Sequence, residues 1–358
     1  MRRALELARR GRVGTHPNPM VGAVLVRDGI VVGEGFHALF GGPHAEVAAL
    51  EAAGDAARGA TLYVTLEPCA HHGKTPPCVD AIIAAGVATV VIGGPDPSVK
   101  AGGGAKRLRE AGIAVVTDVE ADRARTLNAP FYRVHERGAP FLALKLALSL
   151  DGCIAAAAGS RTAITGPEAN METHRLRASH DAVLVGIGTA RVDDPLLTVR
   201  GVDVRRQPAR VVADSDASLS PESNLVRTAG EAPLIVACAD DAAPDRMARL
   251  EAAGARLLPV PRSATGTGID LAALLRDLAG DGMNAVLAEG GAVLGTGLLA
   301  AGLVDRLYIF MAPSFVGDGV RAFGTVAAST AWTFADVERF GADVLLTLDP
   351  AAWPVEHT

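Results

Sequence analysis

Short apolar runs that close on glycine or proline, each followed by an alanine-rich or charged stretch, recur along the whole chain, and this alternation leaves few folds open. "GAVLVRDGIVVGEG" (22–35) reads as a hairpin turning at Asp28-Gly29. "HAEVAALEAAG" (44–54) carries the alanines, glutamates and terminal glycine of a helix stopped near Gly54. "ATLYVTLEPC" (60–69) reads as a buried strand, "PPCVDAIIAAG" (76–86) as a helix that proline can open, and "VATVVIGGPDP" (87–97) as another buried strand. The sum is a layered α/β unit with partly parallel pairing.

After "AGIAVV" (111–116) comes "EADRARTLNAPFYRVHERGAP", polar and punctuated by prolines, which places a boundary near 138. Strand patterns then resume at 141–152, 181–195, 209–214, 232–239 and 284–291, separated by helical stretches such as 166–179 and 245–254. A chain of 358 residues is long enough for two cores. The expected domains are therefore 1–138 and 139–358, both α/β, with no short-period repeat and no low-complexity linker.

Composition narrows the partners. A net charge of −6 offers no basic footprint for nucleic acid. No run of about 18 uninterrupted apolar residues suggests a membrane span, and the basic start "MRRALELARRGRVG" alternates like an amphipathic helix, unlike a signal peptide. Four cysteines in so long a chain make no disulfide framework, which fits a reducing cytoplasm. A small-molecule partner is the expectation.

Within that frame, His44, Cys69 and Cys78 supply three zinc donors on helix and strand ends, the number an open catalytic site uses. Cys78 lies near a helix start, where free N–H groups favour a thiolate. Glu46, two residues beyond His44, points elsewhere and is a candidate acid/base. A His-x-Glu followed by two cysteines is the signature of zinc nucleobase deaminases, although here the cysteines are nine positions apart. A structural site with a fourth ligand from His71 or His72 stays open. In the second half, "AVLAEGGAVLGTGLLAAGLVDRLYIFMAPSFVGDG" (285–319) runs strand, glycines, helix, strand, which suits a phosphate but is a weak signal alone. Lys145, in an otherwise apolar strand, needs a charged neighbour if buried. Cys153 and Cys238 read as small core residues.

"NPMVGAVLV" (18–26), "GEGFHALFGGPHAEVAAL" (33–50) and "VTLEPCAHHGKTPPC" (64–78) resemble the deaminase half of the RibD family of bifunctional riboflavin-biosynthesis proteins. "LKLALSLDGCIA" (144–155), "LRASHDAVLVGIGTARVDDPLLTVR" (176–200), "VVADS" (211–215) and "AEGGAVLGTGLL" (288–299) resemble its reductase half. The resemblance implies an N-terminal cytidine-deaminase-like three-layer α/β/α domain followed by a dihydrofolate-reductase-like α/β domain. It also implies two cofactors, Zn2+ and NADPH, and self-association through the reductase domain. The implied reaction is deamination of 2,5-diamino-6-(5-phosphoribosylamino)pyrimidin-4-one, with Glu46 shuttling protons, and then hydride delivery from NADPH to the opened ribose. By position, Asn18, His37, His71 and Lys74 would contact the pyrimidine substrate, although an asparagine before proline is an equally ordinary turn former. Thr189, Asp193, Ser215, Ala163 and the loop Gly291, Ala292, Val293, Leu294, Gly295, Thr296, Gly297 would hold NADPH. Lys145, Asp151, Arg177, Leu197, Arg200 and Glu289 would face the reductase substrate, the arginines being suited to a ribose phosphate.

Three features depart from the family pattern. "DPSVKAGGG" (96–104) is a residue short and has Ser98 where asparagine is expected. "RTAIT" (161–165) has Ala163 in place of a tryptophan. The abrupt N-terminus trims the first helix. The altered "RTAIT" motivates an alternative, a monofunctional zinc deaminase with a non-catalytic second domain. A deaminase of bases in tRNA or DNA is a further rival, disfavoured by the acidic balance and the lack of an aromatic-basic strip.

Overall fold

The amphipathic start forms helix α1 (Arg2–Arg9), which buries Ala4, Leu5, Leu7 and Ala8. The structure is a computed structural model that describes residues 1–72, 76–98, 102–264, 266–324 and 331–351. It divides into two units, Met1–Gly138 and Ala139–Thr358. Among the described residues no helix is long and apolar enough to cross a membrane.

In the first unit, β1 (Gly22–Arg27) and β2 (Ile30–Phe36) are joined at Asp28 and Gly29, whose φ angles of 52° and 77° are those of a two-residue hairpin turn. Helix α2 (Ala45–Ala53) follows, then β3 (Thr61–Leu66), α3 (Cys78–Ala84), β4 (Thr89–Gly94), α4 (Gly104–Glu110) and β5 (Ala114–Val116). The sheet order is β2-β1-β3-β4-β5, antiparallel from β2 to β3 and parallel from β3 to β5. Apolar residues of β1, β3 and β4 pack against Ala45, Ala49, Val79, Ile82 and Leu108 from the helices. A Cβ on Gly35 of β2 would lie 2.4 Å from the Ala45 carbonyl oxygen, so only glycine lets α2 approach this closely. That contact seats the start of α2, with His44 as its N-cap, on the sheet.

Residues 120–140, polar and punctuated by prolines in the sequence, are largely helical. They make α5 (Ala121–Leu127) and α6 (Ala129–Arg137), with Pro130 in the first turn of α6, where a missing N–H costs nothing. The polar residues there cover the outer faces of helices that bury Ala124, Ala129 and Tyr132.

The second unit opens with β6 (Phe141–Leu148) and β7 (Cys153–Ala155) and continues through α7 (Pro167–Ala178), β8 (Ala182–Gly186), α8 (Ile187–Asp193), β9 (Ala209–Ala213), α9 (Asn224–Arg227) and β10 (Leu234–Ala239). Then come α10 (Pro244–Ala252), β11 (Arg256–Val260), α11 (Leu271–Gly280), β12 (Ala285–Ala288), α12 (Ala292–Ala300), β13 (Arg306–Met311), β14 (Val320–Arg321), β15 (Trp332–Phe340) and β16 (Asp343–Pro350). A nine-stranded sheet runs β11-β10-β9-β8-β12-β6-β13-β16-β15. It is parallel from β11 to β13 and antiparallel at its β16-β15 edge. The parallel strands β8, β9 and β12 thus bring their carboxyl ends, at or just before Gly186, Ser215 and Glu289, to one rim, where open α/β sheets bind ligands.

Two details differ from the sequence expectation. The stretch 181–195 is strand only to Gly186, after which α8 begins. Residues 291–297 are not a loop, because Gly291 is the N-cap of α12 and the next six residues are helical. Glycine's low helix propensity is overridden there by Leu294 and Leu298, which pack into the core of the sheet. The strands β15 and β16 had no strand expectation. β15 is exposed along nearly its whole length, so it shows no apolar alternation to read.

Candidate active sites

His44, Cys69 and Cys78 converge although they come from the start of α2, the loop after β3 and the first residue of α3. His44 Nδ1 lies 3.1 Å from Cys78 Sγ and 3.6 Å from Cys69 Sγ. Ligands of a tetrahedral zinc ion sit about 3.4 to 3.8 Å apart, as follows from Zn–N and Zn–S bond lengths. The donor set, one imidazole and two thiols within 4.8 Å of one another, therefore fits zinc. Among the described residues the cluster has three members and neither His71 nor His72 joins it. The Cys78 backbone N–H also points at Cys69 Sγ, 3.4 Å away. The thiol of Cys78 and the imidazole of His44, working against burial, hold Cys69 down to about 4, while Cys78 is pushed up as the hydrogen-bond donor of the pair. A cation between the two sulfurs removes that asymmetry by binding both as thiolates.

Glu46 is 3 % exposed on the first turn of α2, beside the cluster but outside it. Burial raises its carboxyl above the ordinary range, against the pull of its own backbone amide and of His44. Both His44 and Glu46 line a cavity of about 300 Å³. Asn18, His37 and His71 line it as well; Lys74 lies outside the described residues. His37 sets a hydrogen-bond pattern. Its Nδ1 is 2.9 Å from the carbonyl oxygen of Pro43, which can only accept, so Nδ1 carries the proton. Nε2 then accepts from Asn18 Nδ2 at 3.3 Å. The amide of Asn18 is thereby oriented, with Oδ1 as its remaining acceptor.

Sequence reasoning missed several cavity residues. Glu67, Asp96, Phe131 and His135 all line it. Glu67 ties the departing 96–104 segment in place, accepting from Ala105 N at 2.8 Å and Asp96 N at 3.3 Å. Ser98 lines the cavity, and its N–H donates to Asp96 Oδ1 at 2.8 Å; residues 99–101 are outside the described set. Phe131 and His135 stand four apart on α6, with ring centroids 4.5 Å apart. That helical spacing was the available signal.

In the second unit Arg177 and Glu289 form a two-pronged ion pair, Nε to Oε1 at 2.5 Å and Nη2 to Oε2 at 2.8 Å, each side chain 11 % exposed. Burial opposes ionisation of Glu289, but the Arg177 guanidinium outweighs it and holds the carboxyl low. Arg177 Nη1 donates to the Thr198 carbonyl oxygen at 3.1 Å. Its fork is thus engaged within the protein. Arg200, exposed, donates Nη1 to Thr198 Oγ1 at 3.1 Å, and its backbone N–H donates to His174 Nδ1 at 3.2 Å. Lys145, on β6, has its ammonium 5.5 Å from the Phe310 ring centroid. Burial lowers the Lys145 pKa, with the Glu289 charge opposing and Arg177 adding to the shift.

The remaining positions differ in kind. Gly291 N–H donates to Thr189 Oγ1 at 3.2 Å, which joins α8 to the start of α12. Of residues 291–297, Val293 is 89 % exposed and Leu294 is buried. Asp193, on α8, has its carboxyl raised by burial, with Arg161 opposing. Ser215 is half-buried after β9 and Ala163 is exposed. Leu197 is buried with φ 54°, and its side chain belongs to the core of the second unit. Asp151 is engaged with its own loop. It accepts from Ser149 Oγ at 2.5 Å and Gly317 N at 2.7 Å, and these bonds hold its carboxyl at about 2.

Comparison with known proteins matches both units. The family described as "RibD C-terminal domain" matches residues 140–346, and that described as "Cytidine and deoxycytidylate deaminase zinc-binding region" matches residues 1–94. The riboflavin biosynthesis protein RibD of Escherichia coli K12 is 41 % identical over 368 residues, covering 97 % of this chain and 98 % of that protein. A solved structure of Acinetobacter baumannii RibD aligns with TM-score 0.85 at 37 % identity, over 98 % of this chain and 97 % of that one. A Thermotoga maritima structure described as a diaminohydroxyphosphoribosylaminopyrimidine deaminase/5-amino-6-(5-phosphoribosylamino)uracil reductase aligns with TM-score 0.82 at 36 % identity, again over 98 % and 97 %.

Proposed function

Since this chain belongs to the RibD family of riboflavin-biosynthesis proteins, we propose a role for each of its two sites in that family's consecutive reactions. The chain is a bifunctional enzyme, with a zinc-dependent deaminase and an NADPH-dependent reductase that act on a phosphoribosylaminopyrimidine. The observation that carries the deaminase assignments is the three-donor cluster, two of whose members, His44 and Cys69, line one cavity with Glu46.

His44, Cys69 and Cys78 hold zinc, which supplies activation of water at neutral pH. Glu46 takes the proton from the attacking water and delivers it to the leaving amine, a transfer that its burial keeps from bulk solvent. Asn18 Oδ1 accepts from an N–H of the pyrimidine, in the orientation that His37 imposes. His71 closes the same cavity, and Lys74 of the same insert completes this reading. In the second unit NADPH supplies the hydride. The amides of the first turn of α12, from Ala292 onward, take the cofactor's diphosphate, with Thr189 and Asp193 of α8 and Ser215 after β9 beside them. Arg200 faces the substrate phosphate, while Arg177 acts by fixing Glu289 beside Lys145. Asp151 shapes the loop at Val316 and Gly317.

Supplying the deaminated phosphoribosylaminouracil directly tests the second site by NADPH oxidation at 340 nm. Turnover is expected; its absence in protein that still releases ammonia would favour the monofunctional alternative. Chelating the zinc is expected to stop ammonia release and to leave NADPH oxidation on the deaminated substrate intact, and added zinc restores the first activity. Loss of both activities on chelation would contradict the assignment of zinc to the deaminase alone.

Self-association through the second unit is supported by the exposed outer strand β15, which presents Phe334 and Val337. A cytoplasmic location is supported by four free cysteines. The acidic balance supports a small-molecule partner over nucleic acid.

A further inference from the structure

Asn128 sits at the junction of α5 and α6, 2 % exposed, and does not line the deaminase cavity. Its primary amide holds the backbone of one distant residue at both its N–H and its C=O. Met20 N–H donates to Asn128 Oδ1 at 2.8 Å, and Asn128 Nδ2 donates to the Met20 carbonyl oxygen at 2.9 Å. The two residues are 108 positions apart, so this clasp ties the helical pair to the irregular stretch before β1. That stretch meets the end of β2 only at Val21, whose carbonyl oxygen accepts from His37 N–H at 2.9 Å, and β1 then begins at Gly22, whose N–H donates to Thr65 Oγ1 at 3.1 Å.

Two residues before Met20 stands Asn18, whose N–H donates to the Thr15 carbonyl oxygen at 2.9 Å and whose Nδ2 donates to His37. The side chain of Asn18 therefore reaches the cavity from a segment held on one side by a local turn and on the other first by Asn128 at Met20 and then by His37 N–H at Val21. A hydrogen bond weakens steeply once its angle falls below about 120°, so a shift or tilt of this segment costs Asn18 its alignment. We propose that Asn128 is a positioning residue of the deaminase site: by clasping the Met20 backbone at its N–H and C=O it fixes where Asn18 presents Oδ1, and it sets affinity for the amino-bearing pyrimidine without touching it. The inference rests on the reading of Asn18 as a pyrimidine contact.

The test uses the full-length zinc protein and four variants: Asn18→Ala, Asn128→Ala, Asn128→Asp and the double Asn18→Ala/Asn128→Ala. Ammonia release gives KM and kcat, while NADPH oxidation on the deaminated substrate, zinc content and thermal unfolding report on integrity. Asn128→Ala is expected to raise the deaminase KM about tenfold, with kcat within about threefold. Zinc content and reductase turnover stay at wild-type values. Asn128→Asp, which keeps the acceptor for Met20 N–H and loses the donor, falls between wild type and alanine. In the double variant the two KM effects do not add, because both act through one contact.

A wild-type KM in Asn128→Ala overturns the proposal, as does a fall in kcat and zinc content in step with an unchanged KM. Should the alanine variant fail to fold, the KM of Asn128→Asp decides by the same criterion. If Asn18→Ala raises KM and the Asn128 variants do not, the positioning role fails and the Asn18 contact stands. If Asn18→Ala leaves KM unchanged, the contact itself fails and takes the positioning role with it.

Discussion

Glu46→Gln is expected to lower the deaminase kcat by about 10³-fold, the scale of a lost general acid/base, while zinc content and NADPH oxidation on the deaminated substrate stay at wild-type levels. The expectation follows from three features of the site. Glu46 is 3 % exposed, so bulk water cannot readily replace it as a proton carrier. It lies outside the three-donor cluster, so the amide should leave the metal in place. Glutamine has nearly the same volume, so the packing of α2 against Gly35 is kept. Ammonia release and metal analysis on one preparation check this directly. A variant that deaminates within tenfold of wild type would remove Glu46 from the proton path; one that loses its zinc would make it a structural support of the ligands.

The second large effect is expected at Glu289→Gln. Its carboxylate balances Arg177 at two points and offsets the burial of Lys145, so the amide leaves two cations in a poorly solvated corner with no counter-charge. Removing one partner of a buried pair costs about 3 to 5 kcal/mol, which should appear as reduced thermal stability of the second unit. Reductase kcat/KM should fall by about 10²-fold or more, since Arg177 also holds the Thr198 carbonyl oxygen next to Arg200. The deaminase supplies an internal control and is expected to be unchanged. Calorimetry combined with the two separate assays checks the prediction. A variant as stable as wild type with normal NADPH oxidation would show that the ion pair neither supports the unit nor organises its site.

Much of the deaminase centre was legible because its signals are local in the chain. The Asp28-Gly29 turn, the stop at Gly54 and the cysteines at a strand end and a helix start each depend on a few neighbouring residues. The 120–140 stretch yielded only a boundary near 138, for the converse reason. Its polar residues and prolines give no sign of which faces the two helices will pack, and only once they are packed do Phe131 and His135 become a cavity wall and Asn128 a clasp. At 291–297 the glycines suggested a loop, and packing of Leu294 and Leu298 against the sheet made a helix instead.

By itself the sequence determined the α/β class of both units, the three zinc donors, the acid beside them and the strand-glycine-helix element of the second unit. These follow from turn chemistry, residue type and spacing, which act over short stretches of chain. Only the tertiary structure decided that Asn128 meets Met20 across 108 positions and that Arg177 spends its fork on Glu289 across 112. It also decided that Asp151 serves its own loop and that Leu197 turns inward. Such pairings depend on which faces the packed helices and strands bring together. A hydrogen bond or a buried charge pair is set by that arrangement in space, and no local pattern along the chain encodes it.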